Sequence, residues 1–281
     1  MKPRPRKRFG QHWLQSATVL DQIAQAAHLS AGDHVLEIGP GKGVLTERLL
    51  AQAGKVVSVE IDRDLCGYLR KHFQGHPRFE LVEADFLHLP FVGMQADPVF
   101  SEINKVVANI PYNITGPILE KLLGPIDRPL EKSLEVIVLL VQNEVAQRIA
   151  AVPGSKAFGA LSVRVQYLAH CEVLFPVPPS AFKPPPQVES AVIRLTPRPY
   201  PHPAPQPRWM RTLVKQGFST RRKMLRNTLG AMFTKDQITA ALVSMQISPE
   251  VRAEDLGLDQ WIELSRRLPA PARAMEGGAE S

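Results

Sequence analysis

Short aliphatic runs alternate with helix-spaced segments along the first two thirds of the chain. HVLEIG (34–39), KVVSVEID (55–62), FELVEAD (79–85), KVVANI (105–110) and LEVIVLLVQ (134–142) are rich in Val, Ile and Leu and bounded by turn formers, which predicts strands. Between them GVLTERLLAQA, RDLCGYLRKHF and ITGPILEKLL place apolar residues at helical spacing. This alternation predicts an α/β domain: a mainly parallel sheet covered by helices on both faces. CEVLFPV (171–177) and ESAVIRL (189–195) follow in close succession, so the sheet is expected to end in an antiparallel pair. After residue 207, RWMRTLVKQGF, RRKMLRNTLGAMF, TKDQITAALVSM and GLDQWIELSRRL are helix-like throughout, predicting a small helical domain.

Proline stands at every second position of TPRPYPHPAPQP (196–207), which excludes helix and interior strand and favours extended backbone. The expected organisation is therefore a nucleotide-type α/β domain over 1–200 with a basic N-terminal arm and a proline-rich linker at 201–207. A helical domain follows over 208–268, with a disordered tail at 269–281.

Charge sharpens this division. The net charge of +7 sits at the two ends, with +5 in residues 1–8, +5 in 208–268 and −2 between 9 and 207. A near-neutral body with cationic extremities is the layout of a protein that grips a polyanion. Cys66 and Cys171 form no paired pattern and the eight histidines show no metal spacing, so neither a disulfide framework nor a metal is expected. MKPRPRKRFGQHWL lacks the apolar stretch of a signal peptide, and the run VIVLLV (136–141) is too short to span a bilayer. A soluble cytoplasmic protein is expected, and a monomer, for want of a spare apolar face.

The strand ends carry the candidate chemistry. In EIGPGKG (37–43), Gly39 and Gly41 allow a tight turn and close backbone approach to a ligand. Glu60 ends the second strand, placed to take ribose hydroxyls; Asp85 ends the third, placed to accept from an exocyclic amine; Asn109 ends the fourth. A dinucleotide fingerprint needs a third glycine where Val44 stands, and Lys42 is followed by glycine, so no phosphate loop of the G-x-x-x-x-G-K-[ST] type exists. A nucleoside with a small amino-acid appendage fits better. The arrangement resembles the Rossmann-like class I methyltransferases that bind S-adenosylmethionine.

Asn109-Ile110-Pro111-Tyr112 resembles the [DNS]-[PIL]-P-[YFW] motif of methyltransferases acting on exocyclic amines of bases. The lone pair of such an amine is delocalised into the ring and is a poor nucleophile. Oxygens from Asn109 and the Ile110 carbonyl can accept its two N–H groups and localise that pair. Pro111 stiffens the backbone, and Tyr112 offers a stacking face.

SAFKPPPQVES (180–190), FSTRRKMLRNTL (218–229) and RKRFGQHWL (6–14), together with the motifs above, make the chain similar to the small-subunit ribosomal RNA adenine dimethyltransferases over about residues 6–268. That resemblance implies S-adenosylmethionine-dependent N6,N6-dimethylation of two adjacent adenosines in a hairpin loop near the 3′ end of 16S rRNA, within a pre-30S particle. It implies cofactor contacts from His12, Leu14, Gly39, Gly41, Glu60, Asp85 and Asn109, and makes Phe182 the second wall around the target base. Arg221, Arg222, Lys223 and Arg226, on or near one helix, become the RNA contacts. This chain departs from the family where FGQHWL replaces the usual FGQNFL, putting a histidine at 12 and a tryptophan at 13. Three other readings stay open: a resistance-type 23S rRNA adenine dimethyltransferase, a non-catalytic RNA-binding or transcription factor on the same fold, and a nicotinamide oxidoreductase, which Val44 disfavours.

Overall fold

A computed structural model of the chain describes residues 12–89, 99–130 and 134–270; the basic stretch 1–8 and the tail from 271 lie outside the described residues. The chain divides into two units, one comprising 12–124, 130–147 and 169–198, the other 125–129, 148–168 and 199 onward.

The first unit is built on the sheet that the aliphatic runs predict. Its strands are β2 (His34–Ile38), β3 (Lys55–Glu60), β4 (Phe79–Glu83), β5 (Lys105–Asn109), β6 (Val136–Gln142), β7 (Ala169–Val177) and β9 (Ser190–Pro197). Spatial order is β4-β3-β2-β5-β6-β9-β7. The first five are parallel, and β9 runs antiparallel to both β6 and β7. Central strands are buried on both faces, which is why they read as continuous apolar runs. A two-stranded ribbon sits apart from the sheet: β1 (Trp13–Leu14) pairs with β8 (Phe182–Lys183).

The predicted helices appear as α2 (Val44–Leu50), α3 (Arg63–His72) and α4 (Thr115–Leu123). A fourth, α1 (Ala17–Ala26), buries Val19, Leu20, Ile23 and Ala24, and its N-cap Ser16 accepts a hydrogen bond from the Val19 amide at 3.4 Å. Both signals are legible in SATVLDQIAQA. After β6 comes α5 (Asn143–Ile149).

The second unit differs from the expected 208–268 domain, because α6 (Ala160–Leu168) belongs to it together with α7 (Pro207–Gly217), α8 (Leu225–Thr228), α9 (Lys235–Ser244) and α10 (Leu258–Arg267). Val163 and Val165 of α6 are fully buried, and the helix packs against α7 and α10. Gly217 lets α7 approach Trp261 of α10: an added Cβ would stand 2.5 Å from the indole. The proline segment is not a free tether either. Tyr200 stacks on Tyr167 at 5.3 Å and donates to Asp259 at 2.7 Å, while the Ala204 amide donates to the Tyr167 hydroxyl at 3.2 Å. Pro207 already opens α7, where its fixed φ suits a first helical position. Among the described residues, no helix is long and apolar enough to cross a membrane.

Candidate active site

Parallel strands deliver their carboxyl ends to one edge of the sheet, and there the chain leaves each strand at a residue of chemical interest. β2 runs into Gly39, whose amide donates to the Val59 carbonyl at 2.9 Å. Gly39 and Gly41 have φ of +69° and +59°, a region costly for any residue with a Cβ. A Cβ at Gly39 would also meet nothing within 4 Å, so the loop leaves open space at that point. That space is part of a cavity of about 450 Å³ lined by Gly39, Glu60, Asp85, Asn109, Pro111 and Tyr112 among others. The volume is within the usual range for small-molecule sites.

Glu60, 4% exposed, is held rigidly by backbone donors. Its Oε1 accepts from the Ile61 and Asp62 amides at 3.0 and 2.9 Å, and its Oε2 from the Gly41 amide at 3.3 Å. Burial pushes its pKa up, opposed by these amides. Among the described residues one donor engages Oε2, which leaves an acceptor direction for a ligand hydroxyl. Asp85 accepts from the Leu87 amide at 2.9 Å and pairs with the exposed His88 ring at 2.8 Å.

Asn109 closes β5, opposite Leu140 of β6. Its Nδ2 donates to the His12 carbonyl at 3.4 Å. A carbonyl only accepts, so the amide nitrogen faces the arm and Oδ1 is left for another partner. Ile110 is 1% exposed and anchors the next peptide in the core. Pro111 (φ −60°, ψ 133°) then turns the chain into a short 3₁₀ segment, Tyr112–Ile114, that leads directly into α4. The Tyr112 hydroxyl shares a 2.5 Å hydrogen bond with Ser190 Oγ of β9, which fixes the ring. Burial pushes its pKa up, with the Ser190 bond opposing.

The arm lies across this edge. His12 and Leu14 both line the cavity. Trp13 rests on the glycine loop, its Cδ1 3.5 Å from where a Cβ on Gly41 would stand, with Lys42 Nζ 4.0 Å from the indole centroid. Phe182, the second wall of the target base by the resemblance, is 4% exposed, opposite Leu14 in the β1–β8 ribbon and in the core cluster with Val177 and Val192.

The basic residues lie on or next to α8. Arg221, Arg222 and Lys223 occupy a turn ahead of α8; only Arg226 is helical, and half-buried. Met224 bridges to Arg252 there, and this bridge stops the helix from reaching back. Arg221, Arg222 and Lys223 are all exposed, and Arg221 donates to the Lys156 carbonyl and lies 3.7 Å from Glu254.

Ile61 and Glu37 are among the cavity residues that the sequence reading missed. Ile61 is an exposed isoleucine (45%) beside Glu60, an apolar face at the mouth. Its signal was the strand's apolar run continuing past the carboxylate. Glu37 is 1% exposed beneath the glycine loop and accepts from Thr46 Oγ1 at 2.6 Å and Ser58 Oγ at 2.8 Å. Burial pushes its pKa up to about 7, Glu60 adds to the rise, and the two hydroxyls oppose it.

Residues 3–269 match the family model described as ribosomal RNA adenine dimethylase. The chain is 59% identical to the ribosomal RNA small subunit methyltransferase A of Acaryochloris marina, over 94% of this chain and 97% of that one. It is 58% identical to the protein of the same name from Rippkaea orientalis, over 95% and 98%. Among solved structures it is similar to a dimethyladenosine transferase from Plasmodium falciparum (TM-score 0.73, 26% identity, 90% and 96% covered). It is also similar to the 23S rRNA methyltransferase ErmE (TM-score 0.69, 29% identity, 91% and 99% covered).

Proposed function

The chain belongs to the ribosomal RNA adenine dimethylase family, and from that premise we propose that it dimethylates N6 of two adjacent adenosines of 16S rRNA in a pre-30S particle, as a cytoplasmic monomer. It is a methyltransferase of rRNA adenine that uses S-adenosylmethionine. The observation that carries the finer reading is the Asn109–Tyr112 segment opening on the same cavity as Gly39, Glu60 and Asp85.

The residues present fit the cofactor. A loop free of Cβ atoms at Gly39, a buried carboxylate with a spare acceptor direction at Glu60, the apolar face of Ile61 and the carboxylate of Asp85 suit methionine, ribose, adenine face and adenine amine in turn. When bound, S-adenosylmethionine supplies a methyl group already activated on a positively charged sulfur. The protein's own task is to make the adenine amine nucleophilic and to place it. Asn109 Oδ1, oriented by the His12 carbonyl, accepts one N–H of that amine; the Ile110 carbonyl, stiffened by Pro111, accepts the other. The two acceptors draw the lone pair out of conjugation toward the donor. Tyr112, anchored through Ser190, gives the base a surface to stack on. Proton loss follows transfer, so no strong general base is needed, and positioning supplies the rate.

The names of the relatives above support the small subunit over the large, and the exposed pair Arg222 and Lys223 suits rRNA phosphates. Methyl incorporation into undermethylated 30S particles, 50S particles and naked 16S rRNA tests this. Incorporation confined to 30S particles is expected. Preference for 50S particles or their rRNA would move the protein to the 23S class, and no incorporation in any would remove it from catalysis.

A further inference from the structure

The turn that carries Asp85 is closed at its far end by a side chain from another element. Asp85 opens the turn: its Oδ1 accepts from the Leu87 amide at 2.9 Å, and its carbonyl accepts from the His88 and Leu89 amides at 3.0 and 3.2 Å. A single turn leaves the carbonyls at its end without helical partners. Lys121 supplies one to each, its ammonium donating to the Leu87 carbonyl at 2.9 Å and to the Leu89 carbonyl. We propose that Lys121 is a positioning residue: by holding these two carbonyls it fixes the turn that presents the Asp85 carboxylate, and so sets the preference of the cavity for an adenine amine over a keto oxygen. This rests on the placement of the cofactor adenine at Asp85 given above.

Sequence position alone would make Lys121 a cation in the last turn of α4, complementing the helix dipole. Its contacts are different. The ammonium crosses to a turn 32 to 34 residues earlier in the chain. There it also stands 5.2 Å from the centroid of the buried Phe86 ring, within reach of cation–π attraction. Two carbonyls and a ring, all from one turn, thus converge on one half-buried charge. Burial pushes the Lys121 pKa down, and the negative charge of Asp85 opposes that fall.

Ala84, Asp85, Phe86 and Leu87 all line the cavity, so displacing the turn displaces a wall of the site. A carboxylate oxygen has two lone pairs, so Asp85 can accept a ligand N–H in addition to its present bonds. A keto oxygen in place of that amine would set acceptor against acceptor. Discrimination between the two depends on where the carboxylate points, and the turn decides that. Helix α4 begins directly after Tyr112–Ile114. The helix that Tyr112 leads into therefore also anchors the turn at the adenine end of the cavity.

The test is calorimetry on the full chain with S-adenosylhomocysteine and its deaminated analogue S-inosylhomocysteine, which differ at the amine. A hydrogen bond to a charged group corresponds to about 10- to 100-fold in affinity, the preference expected of the unsubstituted protein. Lys121→Met keeps the length of the side chain and removes its donors, and is expected to lose most of that preference. Lys121→Arg keeps charge and donors and is expected to retain most of it. The titration reads the folded fraction, so partial destabilisation of Lys121→Met leaves the ratio measurable. Equal weakening of both ligands in Lys121→Met, with the preference intact, would overturn the proposal, leaving Lys121 a support of the fold alone. Absence of any preference in the unsubstituted protein would overturn the placement of the adenine at Asp85, and this proposal with it.

Discussion

In the proposed mechanism Asn109 presents its oxygen to the amine, because the His12 carbonyl holds the amide nitrogen. Removing an acceptor that acts at the transition state costs about 10²–10³ in rate. Asn109→Ala should therefore lose single-turnover methylation by that factor while unfolding at nearly the same denaturant concentration; a variant keeping a third of the rate would exclude the two-acceptor mechanism. Glu37 is a second single-residue case. Its folded pKa of about 7 stands above its ordinary 4.5, so between those values the native state holds a proton that the unfolded chain has released. Stability contributed by this group is whole below about pH 4.5 and is lost as pH rises through 7, a penalty on the order of 3 kcal/mol. Glu37→Gln should match the unsubstituted protein in denaturant unfolding near pH 5 and exceed it near pH 8. A stability difference independent of pH would mean that Glu37 is ionised throughout.

At the scale of elements, what ties the start of β2 to the start of β5 is a buried polar cluster. Lys105, 7% exposed, donates to Asp33 Oδ2 at 3.0 Å and to the His28 carbonyl at 2.8 Å. Asp33, 5% exposed, also accepts from Asn104 Nδ2 at 2.8 Å and from the Ser30 amide at 2.6 Å. Burial alone would raise Asp33, but the bonds from Asn104, Lys105 and Ser30 outweigh it and hold the pKa down at about 2. Its stabilisation is present above about pH 4 and is lost as pH falls from there toward 2. Asp33→Asn strands a buried ammonium, a change that costs about 3–5 kcal/mol; urea unfolding should show that loss at pH 7 and a flatter acid limb below pH 4. None of this was legible in the sequence, where a lysine before VVAN reads as a solvated strand end and its partner lies 72 residues earlier. Strands β2, β3, β5 and β6 were legible because burial on both faces forces a near-continuous aliphatic run. Helix α6 was not, because Val163 and Val165 alternate as they would in a strand. Likewise Gly39, Glu60, Asp85 and Asn109 could be placed by strand ends alone, whereas the burial of Phe182 in a two-residue ribbon with the arm has no periodicity to read.

On the scale of the whole molecule, charge should govern how rRNA is held. Arg221 is engaged by Glu254 and the Lys156 carbonyl, which leaves Arg222 and Lys223 on the exposed turn and Arg226 beside them on α8. Replacing Arg222, Lys223 and Arg226 by Gln should leave S-adenosylmethionine binding intact and weaken 30S binding. The salt dependence should flatten by about 0.7–0.9 log units for each phosphate no longer neutralised. An unchanged slope would make the turn an ordinary solvated surface. The interleaving of the chain has a separate consequence, for synthesis. Helix α6 emerges from the translating ribosome well before α7 and α10, the helices that cover it. At 5–20 residues per second the interval to α7 alone is about 2–8 s. Over the same stretch β7 waits for β9, the strand that joins it to the sheet. A nascent chain halted in that window carries Val163 and Val165 uncovered and β6 as an unpaired edge, a natural client for chaperones. A gene fragment starting at the linker would have the opposite defect, since it lacks the helix that completes its own bundle.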